Sequence, residues 1–313
     1  MPTPSKQHEP KATWSGGLAE WKEHDTVYIS VAFTWRLQDA YDRALFARAE
    51  GFSVKVGGPA LFPATSVKIK LAEIAEVGGT YKDAIFRQHP LATMASQGCP
   101  VGCWFCIVPK MEGKTFTLID NFPVRPILCD NNLSALPSEY QDFIIAKYRD
   151  ANVKLRDANS GFEPLTFTPD VYHRWKSLIN AGGGPWRFAY DETKERSEVV
   201  RVMRMLSDER QKRKRVYVLI GNEPITDCLN RVQEVIDNGC EPYCQPLLKL
   251  NCLERKPWIR FDWTEEVLRN MTRWVNKWVW KTTSFADYDR HFRRNRAALA
   301  RLTDNRQPLF NIS

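Results

Sequence analysis

Residues 216–248, VYVLIGNEPITDCLNRVQEVIDNGCEPYCQPLL, decide the fold. VYVLIG at 216–221 and YCQPLL at 243–248 are short apolar runs of strand character, and the stretch between them, 225–238, reads as a helix. Two strands joined by a helix lie parallel, and strands that are almost continuously apolar are those covered by helices on both faces. The polar cluster Gly221-Asn222-Glu223 then falls where the first strand hands over to the helix.

The same alternation runs outward from this unit to residue 91. Strands are expected at 91–96, 125–130, 153–158 and 186–191, ahead of the two already named, with helices near 103–111, 137–149, 169–181, 195–209 and 225–238 and a last one at 264–281. Six such units predict an α/β protein built on a partial (βα)6 TIM-like barrel over 89–255. Upstream, VYISVAF, LQDAYDRALFARAE ending at Gly51, and SVKVGG form a small Rossmann-like βαβ unit within 21–88. Residues 1–20 read as a flexible tail and 256–313 as a C-terminal helical extension. AGGGP at 181–185 reads as a helix stop and tight turn.

In barrels of this kind the chemistry sits at the carboxyl ends of the strands. Five polar clusters meet that condition: Cys99 to Cys106, Asp130-Asn131-Asn132, Asp157 to Ser160, Asp191-Glu192 and Gly221-Asn222-Glu223. The basic run RQKRKR at 210–215 precedes a strand and belongs to the opposite end.

The first cluster, GCPVGCWFC, places Cys99, Cys103 and Cys106 on one tight loop. A structural zinc takes four ligands, commonly as two separated pairs, and a thioredoxin-like pair would need only Cys103 and Cys106. A [4Fe-4S] cube held by three thiolates leaves one iron open, which matches the count. Cys228, Cys240, Cys244 and Cys252 could make a second cluster, but their places inside a helix and a strand suit buried core thiols, as does that of Cys129.

The cysteine loop, with its CxxxCxΦC spacing after the first strand of a six-unit βα array, resembles the radical S-adenosylmethionine (radical SAM) enzymes. The likeness extends over about residues 25–290, and its N-terminal part is similar to a reduced cobalamin-binding sheet. The resemblance implies that Cys99, Cys103 and Cys106 hold the cluster, that Phe105 lies beside the adenine, and that Asp130, Asn131 and Asn132 meet the methionyl amino group in place of the usual Gly-Gly-Glu. It further implies ribose and adenine contacts from Asp191, Gly221, Asn222 and Glu223, and a one-electron donor such as flavodoxin or ferredoxin. A DxHxxG loop is absent from 25–60, so no cobalamin is expected. The resemblance assigns no catalytic acid or base and no substrate.

Composition fits an ordinary globular chain, with 43% hydrophobic and 26% charged residues, and no apolar run approaches the ~18 residues of a membrane span. The opening residues lack the apolar core of a secretory signal, so a cytoplasmic location is expected, where the eight cysteines stay reduced. A net charge of +8 suits a nucleic-acid or nucleotide partner, although RQKRKR and RHFRRNR at 290–296 read first as solvated faces. The competing reading is a non-catalytic, metal-stabilised nucleic-acid-binding protein, with zinc on the triplet plus a fourth thiol and the basic tail on phosphates. The stripe Val267, Met271, Trp274, Trp278 is expected to pack a helix onto the core.

Overall fold

The computed structural model describes residues 15–81 and 84–290. Most of the expected N-terminal tail, nearly all of the basic run at 290–296 and the end of the C-terminal extension lie outside those residues.

The N-terminal unit is a four-stranded sheet in the order β1 (Leu18–Glu23), β2 (Thr26–Val31), β3 (Ser53–Gly57), β4 (Glu76–Val77). The expected βαβ unit is β2, α1 (Leu37–Ala49) and β3, with its strands parallel. α1 buries Leu37, Ala40, Ala44 and Ala47 at helical spacing, and its alanines let it sit close against Ile29, Val31, Val54 and Val56. β1 adds an antiparallel edge that begins inside the segment expected to be tail. A second helix, α2 (Ser66–Ile74), leads into β4, which pairs parallel with β3.

After α3 (Ala84–Gln88), two three-stranded parallel sheets follow in chain order. The first is β5 (Ala92–Thr93), β8 (Ile127–Leu128), β9 (Asp157–Ala158); the second is β10 (Trp186–Tyr190), β11 (Lys214–Ile220), β12 (Glu241–Pro246). Among the described residues the strands form no closed barrel. α5 (Ser138–Asp150) and α6 (Pro169–Gly182) pack on the first sheet through residues such as Ile144, Tyr148, Trp175 and Ile179. α8 (Ile225–Asp237) and α9 (Glu265–Asn276) serve the second through Val232, Val235, Val267 and Met271. α7 (Arg196–Met205) and α10 (Phe285–Tyr288) complete the described elements beyond the cysteine loop.

The early strands are shorter than expected. The run 91–96 splits, because the Ala95 N–H donates to Asp130 Oδ2 (3.0 Å) while its carbonyl accepts from Ile119 N (2.8 Å) and the Tyr140 hydroxyl (2.7 Å). The chain then continues as β6 (Ser96–Gln97), paired antiparallel with β7 (Thr117–Leu118), so the cysteines sit in a hairpin. The helix expected at 103–111 is reduced to α4 (Val108–Met111), and Cys106 N instead closes a turn onto the Cys103 carbonyl at 3.1 Å. α9 stops at Asn276, five residues before the expected end. Trp278 takes a left-handed φ of 56° and is exposed, so only the first three members of its stripe are core.

The sheets meet at β9 and β10. The C-terminus of α6 carries Gly183 in the left-handed conformation (φ 76°), the helix stop read from AGGGP. The glycines on either side meet a different demand, since a Cβ on Gly182 would lie 1.6 Å from the Leu155 carbonyl oxygen and one on Gly184 2.0 Å from that of Arg156. Beyond this contact Phe162 N donates to the Arg187 carbonyl (2.9 Å), and the buried Arg187 guanidinium grips Asp157 with two hydrogen bonds, 2.6 and 2.9 Å. The basic run 210–215 is partly structural. Arg213 donates to the Ile179 and Gly184 carbonyls at the far end of α6, and Lys214 is buried.

Candidate metal and cofactor site

The clusters at Asp130, Asp191 and Gly221 follow the carboxyl ends of parallel strands, the cysteines follow the hairpin strand β6, and Asp157 with Ala158 forms β9 itself; hydrogen bonds tie the neighbouring loops together. Asn131 Nδ2 donates to Glu112 Oε2 (2.7 Å) and the Gly98 carbonyl (3.3 Å), and Asn132 Nδ2 lies 4.0 Å from Cys99 Sγ. Glu112 Oε2 also accepts from Gly98 N at 2.9 Å, fixing the entry to the cysteine loop. On the other side Trp104 Nε1 donates to Glu192 Oε1 (3.2 Å), Thr193 N donates to Glu223 (3.0 Å), and the Asn222 amide donates to the Asp191 carbonyl.

These bonds sort the expected cofactor residues. Asp130 is buried with both oxygens engaged, by Ala95 N and the Ser96 hydroxyl (2.6 Å), so its side chain braces the strand feeding the thiols. Asn222 and Glu223 hold Arg231, the former accepting at 3.2 Å and the latter pairing at 3.1 Å. Neither Asp191 nor Asn222 caps a helix; Glu192 caps the short turn at 193–195 in a reciprocal box with Glu195. Gly221 has φ 90°, and a Cβ there would lie 3.3 Å from the Leu268 side chain. Phe105 stands edge-on to Trp104 with ring centroids 5.4 Å apart.

Asp191 stands at the end of an expected strand, whereas Glu163, two residues past Gly161, carries no motif. Burial, reinforced by Glu195, pushes the Asp191 carboxyl up to about 8 despite Arg231, and no hydrogen bond or ion pair among the described residues engages its oxygens. Burial raises Glu163 too. The thiols feel the same surroundings: burial and the nearby Asp191 push Cys103 up to about 12, and burial raises Cys99, with Cys106 and Glu163 adding to it. Three thiols and two carboxylates thus lie within electrostatic reach of one another, with Arg231 and Lys194 as cations felt in the same place. Nearby, the buried Asn131 Oδ1, Glu112 Oε1 and Ser160 Oγ have no hydrogen-bond partner among the described residues.

Among the described residues, no three His, Cys, Asp or Glu side chains gather tightly enough around one point to hold a single ion. A cube spreads its thiolate ligands over separate corners, whereas one zinc draws its sulfurs to about 2.3 Å. Cys129, Cys228, Cys240 and Cys244 are buried among core residues, and Cys252 lies 3.9 Å from the Thr34 hydroxyl. Cys99, Cys103 and Cys106, half-buried on one loop, are the thiols placed to hold a metal group.

The raised Asp191 carboxyl has a measurable consequence in metal-free protein. It binds its proton in the folded state at pH values where the unfolded chain has lost it, so its contribution to stability is full below about 4 and falls as pH climbs through about 8. The urea midpoint is expected to drop between pH 5 and pH 8, and Asp191→Asn to shrink that drop. An identical drop in the variant would remove Asp191 as its cause.

No protein-family model matches this chain, and no curated protein matches it. No helix among the described residues is long and apolar enough to cross a membrane.

Proposed function

We propose that the chain is a radical SAM enzyme, and that its two three-stranded sheets form one six-stranded (βα)6 arc with the site along its rim. The observation that carries this reading is Cys103, on one tight hairpin loop with Cys99 and Cys106, within electrostatic reach of the Asp191 carboxylate, which no described hydrogen bond or ion pair engages. A bound [4Fe-4S] cluster would supply the electron that cleaves S-adenosylmethionine to methionine and a 5′-deoxyadenosyl radical, the species that takes a hydrogen atom from substrate.

The chain's own residues bind and orient. The three thiols hold the cluster, and Asp191 and Glu163 offset the positive charge of the sulfonium and ammonium groups. Asn131 and Ser160 offer buried polar atoms to the methionyl part. Gly221 admits the adenosyl part close to the backbone, with Phe105 at the adenine. The hairpin and the segment 247–263 shield the space from water, through Arg260 stacked over Trp104 at 5.4 Å. Flavodoxin or ferredoxin suits the role of electron donor, and no cobalamin site is proposed.

Anaerobic reconstitution with iron and sulfide tests the reading. About four irons per chain, a brown chromophore, and 5′-deoxyadenosine on adding S-adenosylmethionine and dithionite are the expected results. Stoichiometric zinc without iron would refute it, as would an iron-loaded protein that forms no 5′-deoxyadenosine.

A further inference from the structure

Away from the thiols, the free side of β12 and the outer face of α9 enclose a groove of about 620 Å³. Its charged wall comprises Arg255, Lys256, Arg269, Arg273 and Lys277 against the single carboxylate of Glu265. Arg269, Arg273 and Lys277 follow one another at intervals of four residues along α9 and past its end, so they point the same way about 6 Å apart. All three are exposed, and no ion pair among the described residues engages them. Like charges at this spacing repel and weaken the helix that carries them. The row is relieved by a ligand whose negative charges also repeat, and a single small anion would answer only one member.

The shape narrows the ligand further. A concave groove excludes the flat face of a globular acidic protein but accepts a strand. Tyr243 lines it, held edge-on by Tyr217 at 5.3 Å between centroids, and Pro246 and Pro257 supply apolar walls on which a base or sugar can rest. Three residues beyond Pro257, Arg260 reaches Trp104 of the cysteine loop, so one segment borders both the groove and the thiols.

We propose that this groove binds the phosphodiester backbone of a single nucleic-acid strand, with Arg269, Arg273 and Lys277 on its phosphates and Tyr243 beside a base. That the bound strand is also the substrate rests on the radical SAM reading; the binding does not.

Fluorescence anisotropy with labelled RNA and DNA oligonucleotides of about 12 nucleotides, on the full metal-free chain without S-adenosylmethionine or reductant, tests binding alone. The triple variant Arg269→Gln, Arg273→Gln, Lys277→Gln is expected to bind on the order of 10-fold or more weakly at low salt. Its slope of log affinity against log salt should flatten by about 2. Arg204→Gln with Arg210→Gln and Lys212→Gln, three exposed cations at the carboxyl end of α7 and the amino end of β11, is the charge-matched control and should bind as wild type does. Circular dichroism verifies that the variants are folded, and a preference between RNA and DNA tells which polymer supplies the phosphodiester. The proposal is overturned if wild type fails to bind either oligonucleotide at about 50 mM salt, if the triple variant binds as tightly as wild type, or if labelled polyglutamate binds as well as the oligonucleotides. Because no cluster takes part, loss of this proposal and loss of the radical SAM reading register in separate experiments.

Discussion

Cys103→Ala is expected to lower 5′-deoxyadenosine formation at least about 100-fold, equivalent to about 3 kcal/mol of lost barrier lowering, while the chain stays folded. Cys103 sits half-buried in the hairpin turn, where its backbone carbonyl rather than its thiol holds the turn. On the proposed reading, removing the sulfur therefore takes away a ligand and little packing. Iron retained after reconstitution should fall along with product. Cys129→Ala is the contrasting case, because Cys129 is wholly buried in β-strand surroundings and its loss should cost stability yet leave product per folded chain unchanged. Equal product from wild type and Cys103→Ala would end the enzymatic reading, and an equal loss in Cys129→Ala would show that the assay reports folding alone.

Asp157→Ala is expected to destabilise the protein by about 3–5 kcal/mol, because it strands the buried Arg187 guanidinium without its countercharge. The two side chains are fully buried and joined by a two-pronged contact between β9 and β10. Arg187 also reaches the Tyr217 hydroxyl on β11, so the pair braces three strands. Replacing both, Asp157→Leu with Arg187→Met, should recover most of the loss, since the cost lies in the unpaired charge more than in the absent bond. Urea unfolding of the two single variants and the double variant decides it. A loss below about 1 kcal/mol in Asp157→Ala would mean that water reaches the guanidinium.

Much of the frame was legible in the sequence because its signals are local. α6 starts one residue after Thr168, whose hydroxyl accepts from Val171 N, and ends at left-handed Gly183; both signals lie within the helix's own segment. α5 and α8 match their expected spans to within a residue at each end for the same reason. β1 escapes sequence reading because three of the six residues of LAEWKE, Glu20, Lys22 and Glu23, are charged, as an edge strand tolerates, and its apolar residues are only Leu18, Ala19 and Trp21. The break in the first strand depends on Asp130, 35 positions from Ala95, and the Asp157–Arg187 brace on partners 30 apart. Such pairings leave no periodic trace.

The site divides along the same line. The spacing of the cysteines and the rim positions of the polar clusters could be read directly. Glu163 could not, because its burial beside the thiols arises from the packing of the Phe162 loop against β10. The resemblance implies a ligand contact for Asp130, and only tertiary bonds reveal its work on Ala95 and Ser96.

Among the described residues β12 has no strand neighbour on its outer side, but Asn276 of α9 presents its side-chain amide to Cys244, accepting from the backbone N–H at 2.8 Å and donating to the carbonyl at 2.9 Å. One residue thereby imitates the rung of a fourth strand beside this sheet. A sheet that ends in open water invites a neighbouring molecule to zip onto it, so this plug lets the ribbon stay unclosed while discouraging copies from joining margin to margin.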